Sequence, residues 1–286
     1  MKAASVPAPT YAFPQSRAAQ ITFVLLTVYV IYALTQLDVS LERVGQGLEH
    51  AGRFLGKMIP PNFARSELLW NGLAESLQIA VLASALGIVL ALPFGLLGAR
   101  NLMPSWVSWP ARLVIVVARS FHPVVVAILF VKAVGFGALA GILALTVASI
   151  GFIGKLFTEA IEEVSAKQVE AVRATGAPFT SMLAFGVLPQ VFSRFIGFAT
   201  YQLDSNLRNS TMVGIVGAGG IGGTLFAAFQ RFDYDFVSAI LISIIALIMA
   251  GEVLATAVRR IFIDNATLRQ LFRGGTPAHD RPLDDD

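Results

Sequence analysis

Charged and strongly polar residues are sparse in this chain, and those inside apolar stretches are the ones whose chemistry needs a reason. Two clusters qualify. One is Arg119-Ser120-Phe121-His122-Pro123, and the other is Asp204-Ser205-Asn206-Leu207-Arg208-Asn209-Ser210-Thr211. A guanidinium presents a planar fork of donors that matches phosphate-like oxygens. Arg119 or Arg208 could therefore set positive potential along the path of an oxyanion. Ser120, Asn209, Ser210 and Thr211 would add neutral contacts. A plainer role is open for each residue. Asp204 and Arg208 are four apart on one helical face and can pair. Arg119, near the cytoplasmic end of its segment, can snorkel, and His122 can serve helix packing. Glu252 is either a proton-coupling carboxylate or a group buried against a donor between helices.

Other chemistry is excluded. The chain has no Cys, so it has no thiolate metal site and no thiol nucleophile, and its three His (His50, His122, His279) are scattered. No metal site and no cofactor of its own are expected. No G-x-x-x-x-G-K-S/T phosphate loop occurs, so ATP hydrolysis is not expected of this chain. Gly217-Ala218-Gly219-Gly220-Ile221-Gly222 does match G-x-G-x-x-G. It lies in an apolar segment without the strand, helix and acidic residue that dinucleotide binding requires. The reading kept for Gly217, Gly219, Gly220 and Gly222 is a close-packing turn that caps a pathway near the outer ends of the spans.

The elements that must position these residues follow from hydropathy. Of 286 residues 56% are hydrophobic and 14% charged, too few charges for a water-facing surface of this size. A bilayer core needs about 20 apolar residues as a helix. Six spans are predicted: Ile21–Leu37, Leu73–Leu97, Leu113–Val131, Ala138–Phe157, Phe195–Phe229 with polar interruptions, and Phe236–Val258. Pro123 should kink or break the third. The first span lacks a small-residue cleavage site and reads as a retained helix rather than a signal peptide. With the N-terminus inside, thirteen of the 21 Lys and Arg fall on the cytoplasmic side. Six fall outside: Arg43, Arg53, Lys57, Arg65, Lys132 and Arg231. This bias gives an N-in/C-in topology. The organisation expected is a cytoplasmic tail (1–20), the first helix (21–37), an external segment (38–72), a transmembrane domain (73–263) and a cytoplasmic tail (264–286). The Pro-rich start and the stretch from Gly274 read as disordered.

One loop, residues 158–189, is longer than a spacer needs. Thr158–Val164 and Gln168–Thr175 are strong helix formers. Gly176 suits the residue after a helix end, and Pro178 suits the first turn of the next, which should run from Phe179 to Val187 and stop at Leu188-Pro189. Glu159, Glu162, Glu163 and Glu170 outnumber the bases, which suits a protein partner better than an anionic lipid surface.

Within this loop Glu170-Ala171-Val172, three residues, Gly176, nine residues, then Gly186-Val187-Leu188-Pro189 resembles the EAA loop of ATP-binding-cassette importer permeases. Val172 stands where the family pattern has Ala, and Gly186 where it has Ile. Gly154–Val164, Glu170–Ala177, Gly186–Gln190 and Asn206–Gly222 are similar to phosphonate-type permeases of that group, and the likeness extends from Leu73 to Ile263. The resemblance implies an all-α integral membrane protein with the type I importer permease fold. It implies that Glu170, Ala171, Arg173, Gly176, Leu188 and Pro189 couple to an ATPase. Expected partners are two copies of the ATPase, which hold the ATP and Mg, a periplasmic or lipoprotein solute-binding protein, a second copy of this chain and membrane lipids. No nucleic acid is expected. The substrate expected is a phosphonate, with phosphite, hypophosphite or phosphate as alternatives. A secondary transporter or channel is a less favoured reading, and an intramembrane enzyme is weaker still.

Overall fold

The computed structural model describes residues 17–37 and 40–273, apart from the side chains of 41, 258, 259 and 261–273. The N-terminal tail up to residue 16 and the stretch from Gly274 lie outside the described residues. All elements among the described residues are helical. The chain divides into two units, residues 1–57 and 58–286.

The first unit holds α1 (Arg17–Gln36) and α2 (Leu41–Lys57). α1 is about 30 Å long by its residue count, and none of its residues is buried. α2 was not foreseen in the external segment. Val44, Leu48 and Leu55 recur at helical spacing on one side of it and are exposed, while Glu42, Gln46, Glu49, Arg53 and Lys57 fall on the other. Arg53 pairs with Glu49 at 3.4 Å one turn away.

The second unit contains α3 (Ser66–Gly98), α4 (Ser105–Ser120), α5 (Pro123–Val134), α6 (Ala138–Glu162), α7 (Ala166–Ala174), α8 (Phe179–Ser181), a π-helical segment (Met182–Val187), α9 (Leu188–Ile215), α10 (Ile221–Gln230) and α11 (Tyr234–Arg273). Among the described residues five helices are long and apolar enough to cross a membrane, and the bent pair α4–α5 makes six. The bundle is centred on α3 against α6. Small residues make that contact close: a Cβ on Gly95 would lie 2.7 Å from the Phe157 ring, and one on Gly98 2.9 Å from Thr158 Oγ1.

The break expected at Pro123 divides the third span, and three other expectations need correction. α4 and α5 meet at 91°, because Pro123 disfavours helical backbone in the residue before it. Phe121 (ψ 139°) and His122 (ψ 141°) are both extended, and Pro123 becomes the first residue of α5. The fifth region is a span followed by a separate piece. α9 ends at Ile215, and α10, about 15 Å long by its ten residues, is too short to cross. The helix after Gly176 does not stop at Pro189 but runs on into α9. Proline lacks an N–H and crowds the carbonyl four residues back. The π-helical turn at Met182–Val187 absorbs this, and Gln190 Nε2 donates to the Gly186 carbonyl at 2.6 Å. α11 also continues as helix to Arg273, past the expected end of the last span.

Candidate functional site

The break in the third span sets the first group of polar residues. Arg119 sits in the last turn of α4, and a Cβ on Gly151 would lie 2.6 Å from its Cγ. Gly151 is at the middle of α6, so Arg119 lies at mid-depth of the bundle rather than near its cytoplasmic end. Its position favours the negative end of the α4 dipole. Arg119 and Ser120 line a cavity of about 330 Å³ with Arg112, Ile115, Val116, Lys155 and Thr158. His122 does not share that cavity. Its Nδ1 caps α5, accepting from the Val124 N–H at 3.3 Å.

The second group divides by face. Asp204 and Arg208 pair, Oδ2 to Nη2 at 2.6 Å, with Arg208 59% exposed and Asp204 18%. Tyr201 and Met212 are exposed and Ser205 and Asn209 half-buried on the same side of α9, with Asn209 Nδ2 3.4 Å from Ser205 Oγ. Ser210 is corrected: it is fully buried and donates to the Leu207 carbonyl, away from that face. The opposite face of α9 carries a network that sequence reasoning missed. Gln202 Nε2 donates to Ser149 Oγ at 2.8 Å and to Asn206 Oδ1 at 3.0 Å. Asn206 Nδ2 donates to Ser84 Oγ and Ser149 Oγ, each at 2.9 Å. These four residues tie α3, α6 and α9 together deep in the bundle. The available signal was a Gln and an Asn four apart in a spanning helix. Arg119 and Arg208 share no cavity or bond. Glu252 is corrected as well. It is exposed beside Met249, Val253, Thr256 and Arg260 instead of being buried between helices of this chain.

The glycine motif is a turn linking α9 to α10. Gly217, Gly219 and Gly220 have φ of 88°, 83° and 78°, a region that costs side-chain-bearing residues about 1–2 kcal/mol. A Cβ on Gly219 would lie 2.7 Å from Ala138 N and 2.8 Å from Glu75 Oε1. The Gly217 carbonyl accepts from Gly137 N–H at 3.0 Å, and Ser76 Oγ accepts from Ile221 N–H at 2.9 Å. Gly222 meets the Thr211 carbonyl backbone directly. The turn thus closes on the starts of α3 and α6, at the end of the bundle away from the 158–189 loop.

At the loop end, Gly176 has φ 75° and its N–H bonds the Arg173 carbonyl at 3.0 Å. α7 presses Val169 and Val172 against the π segment. The Cβ position of Gly186 is 3.5 Å from Val169 Cα and 3.7 Å from Val172 Cγ2. The two departures from the EAA pattern therefore face each other, a larger residue against a smaller one. Glu170, Ala171, Arg173 and Gly176 remain exposed on the outer side. Leu188 is exposed too and borders an apolar hollow of about 310 Å³ with Leu92, Pro93, Leu96, Phe157 and Phe192, among others, and Pro189 is exposed in the first turn of α9.

Three of the four loop acids are paired inside the chain, and Glu159 and Glu163 stay exposed in their pairs. Glu162 accepts from Arg112 Nη2 at 2.5 Å and from the Arg100 N–H at 2.8 Å. Glu163 pairs with Arg194 at 2.5 Å, and Glu159 with Lys155 at 2.6 Å. Gln190 Oε1 accepts from Ser165 N–H at 2.9 Å. The Glu162 and Glu163 pairs tie the end of α6 to α4 and α9, and the Ser165 bond ties the start of α7 to α9.

Residues 91–265 match the family model described as binding-protein-dependent transport system inner membrane component. The chain belongs to that family. As a permease of this family it is a multi-pass inner-membrane protein. It is 38% identical over 217 residues to the phosphite transport system permease protein PtxC of Stutzerimonas stutzeri, covering 76% of this chain and 79% of that protein. It is 41% identical over 205 residues to the phosphate-import permease protein PhnE of Mycolicibacterium smegmatis. There it covers 71% of this chain but 38% of the longer relative. Among solved structures, the MetNI methionine ABC transporter in an inward-facing conformation aligns with TM-score 0.60 at 24% identity, over 69% of this permease and 99% of that chain. The bundle therefore has the type I ABC importer permease fold.

Proposed function

We propose that this chain is the membrane-spanning permease subunit of an ATP-driven importer for phosphonates or related phosphorus oxyanions. The observation that carries the pathway is the exposed polar face of α9. A charged side chain in the middle of a membrane helix costs about 2.5–3.5 kcal/mol or more if it faces lipid. Arg208 is exposed at that depth, beside the half-buried Asp204, Ser205 and Asn209. Such a face is stable against water or protein, which fits a pathway enclosed between two copies of this chain. Arg119, Ser120 and His122, at the break where irregular backbone needs a polar lining, extend the same pathway. The relatives' names, phosphate-import and phosphite permease, support a phosphorus oxyanion, and the cationic groups suit one.

Energy enters through α7. Two ATPase subunits, carrying ATP and Mg, dock on the exposed side around Glu170, Ala171, Arg173 and Gly176. Their closure displaces α7, whose Val169 and Val172 contacts on the π-helical segment and Ser165 bond to Gln190 pass the movement to α9, while the Glu162 and Glu163 pairs link the end of α6 to α4 and α9. Substrate arrives from a periplasmic or lipoprotein binding protein, so weak pathway contacts suffice and no bond of the substrate is broken. The test is Arg208→Ala in the reconstituted system. Uptake falls while the permease still co-purifies with its ATPase. Unchanged uptake would reduce the Asp204 pair to a structural role.

A further inference from the structure

We infer that the cavity between α4 and α6 is a binding site for a phosphoryl-type oxyanion on the loop side of the bundle's midpoint. Its lining holds three cations, Arg112, Arg119 and Lys155, and no carboxylate. Two of them have partners just outside it, Arg112 with Glu162 and Lys155 with Glu159. Arg119 has no carboxylate partner among the described residues. The cluster therefore carries one more positive than negative charge, at a depth where lone charges are expensive and mark function.

The packing fixes this geometry. Gly151 and Gly154 let α4 lie close on α6, with Ile115 Cγ1 3.1 Å from a Cβ built on Gly154. Arg112 is anchored by its Nε bond to the Gly98 carbonyl at 2.8 Å. Thr158 Oγ1 is committed to the Gly95 and Gly154 carbonyls. The donors left for a ligand are the Arg119 fork and the Lys155 N–H bonds not used by Glu159, because Ser120 Oγ donates to the Val116 carbonyl at 2.8 Å. A tetrahedral oxyanion can take two parallel bonds from the fork and a third from the ammonium. Ile115 and Val116 supply an apolar wall for an organic substituent on phosphorus. The same chemistry describes a free phosphorus oxyanion and an anionic phospholipid headgroup. The site extends the proposed pathway inward from Arg119, but binding to it requires neither ATPase nor transport.

The test uses the purified full chain in nanodiscs. In zwitterionic phosphatidylcholine discs, inorganic phosphate is titrated by calorimetry. In discs containing phosphatidylglycerol, the lipid retained after detergent extraction is counted by native mass spectrometry. Arg119→Gln and Lys155→Gln are compared with wild type, and Arg231→Gln is the control. Arg119→Lys, which keeps charge and stem, guards against misfolding. Saturable phosphate binding weakened at least tenfold by both Gln variants establishes a free-oxyanion site. Retained phosphatidylglycerol lost in both variants establishes a headgroup site. Neither ligand bound by wild type, or binding unchanged in both variants, overturns the inference. Failure of the pathway reading would show separately, as normal uptake by Arg208→Ala.

Discussion

At the residue scale, Gly176 carries the sharpest expectation. Its left-handed backbone, with open space around its Cβ position, means that a side chain is penalised by conformation and not by collision. Gly176→Val should cost about 1–2 kcal/mol locally, loosen ATPase docking and uncouple hydrolysis from uptake. Gly176→Asn, which tolerates this region better, should retain most of the coupling. Co-purification yield and the ratio of ATP hydrolysed to substrate taken up distinguish these outcomes. Wild-type values for Gly176→Val would remove the hinge from the account. The Val172–Gly186 contact makes a second, independent expectation. Gly186→Ile overpacks against α7 and should destabilise by about 1–3 kcal/mol. Adding Val172→Ala should recover part of that loss, as contacting residues couple by about 0.5–3 kcal/mol. Strictly additive melting shifts would show that the two positions do not compensate.

At the element scale, the spanning helices were legible because about 20 apolar residues leave few alternatives in a bilayer. What escaped depended on where polar groups point. The stripe of Val44, Leu48 and Leu55 in α2 is readable at helical spacing in the external segment. Pro123 announces a break, but not its 91° angle, which depends on how α4 and α5 each pack on α6. Pro189 reads as a stop because a proline inside a helix removes a bond, and the π-helical turn that accommodates it has no signature in one sequence. The Ser84–Ser149–Gln202–Asn206 network was hidden for a similar reason. Gln202 and Asn206 are four apart, but their partners Ser84 and Ser149 lie far off in sequence and meet them only after α3, α6 and α9 assemble. Asn206→Leu should lower thermal stability in detergent, because buried partners lose their bonds at about 1–3 kcal/mol. An unchanged melting temperature would mean that the network is dispensable. Gly219→Val joins a disfavoured φ to a backbone collision with Ala138 and should abolish monodisperse protein.

At the scale of the whole molecule, one end of the bundle is closed by the glycine turn on α3 and α6, and the other carries α7 seated on the π-helical segment before α9. The polar face of α9 and the broken third span lie between them. In the proposed function this arrangement separates the part that is driven from the part that conducts. It also explains which candidate residues were recoverable. Gly176 and the glycine turn are set by local backbone need, which sequence records directly. The roles of Ser210, Leu188 and Glu252 depend on which way a helix face turns, which only packing decides.

The most direct test is uptake of a phosphorus oxyanion into liposomes holding this chain, with the ATPase and binding protein added or withheld. The account predicts accumulation only when both companions and ATP are present, and none from the chain alone. Accumulation by the chain alone, driven by an ion gradient or by the substrate's own, would contradict it.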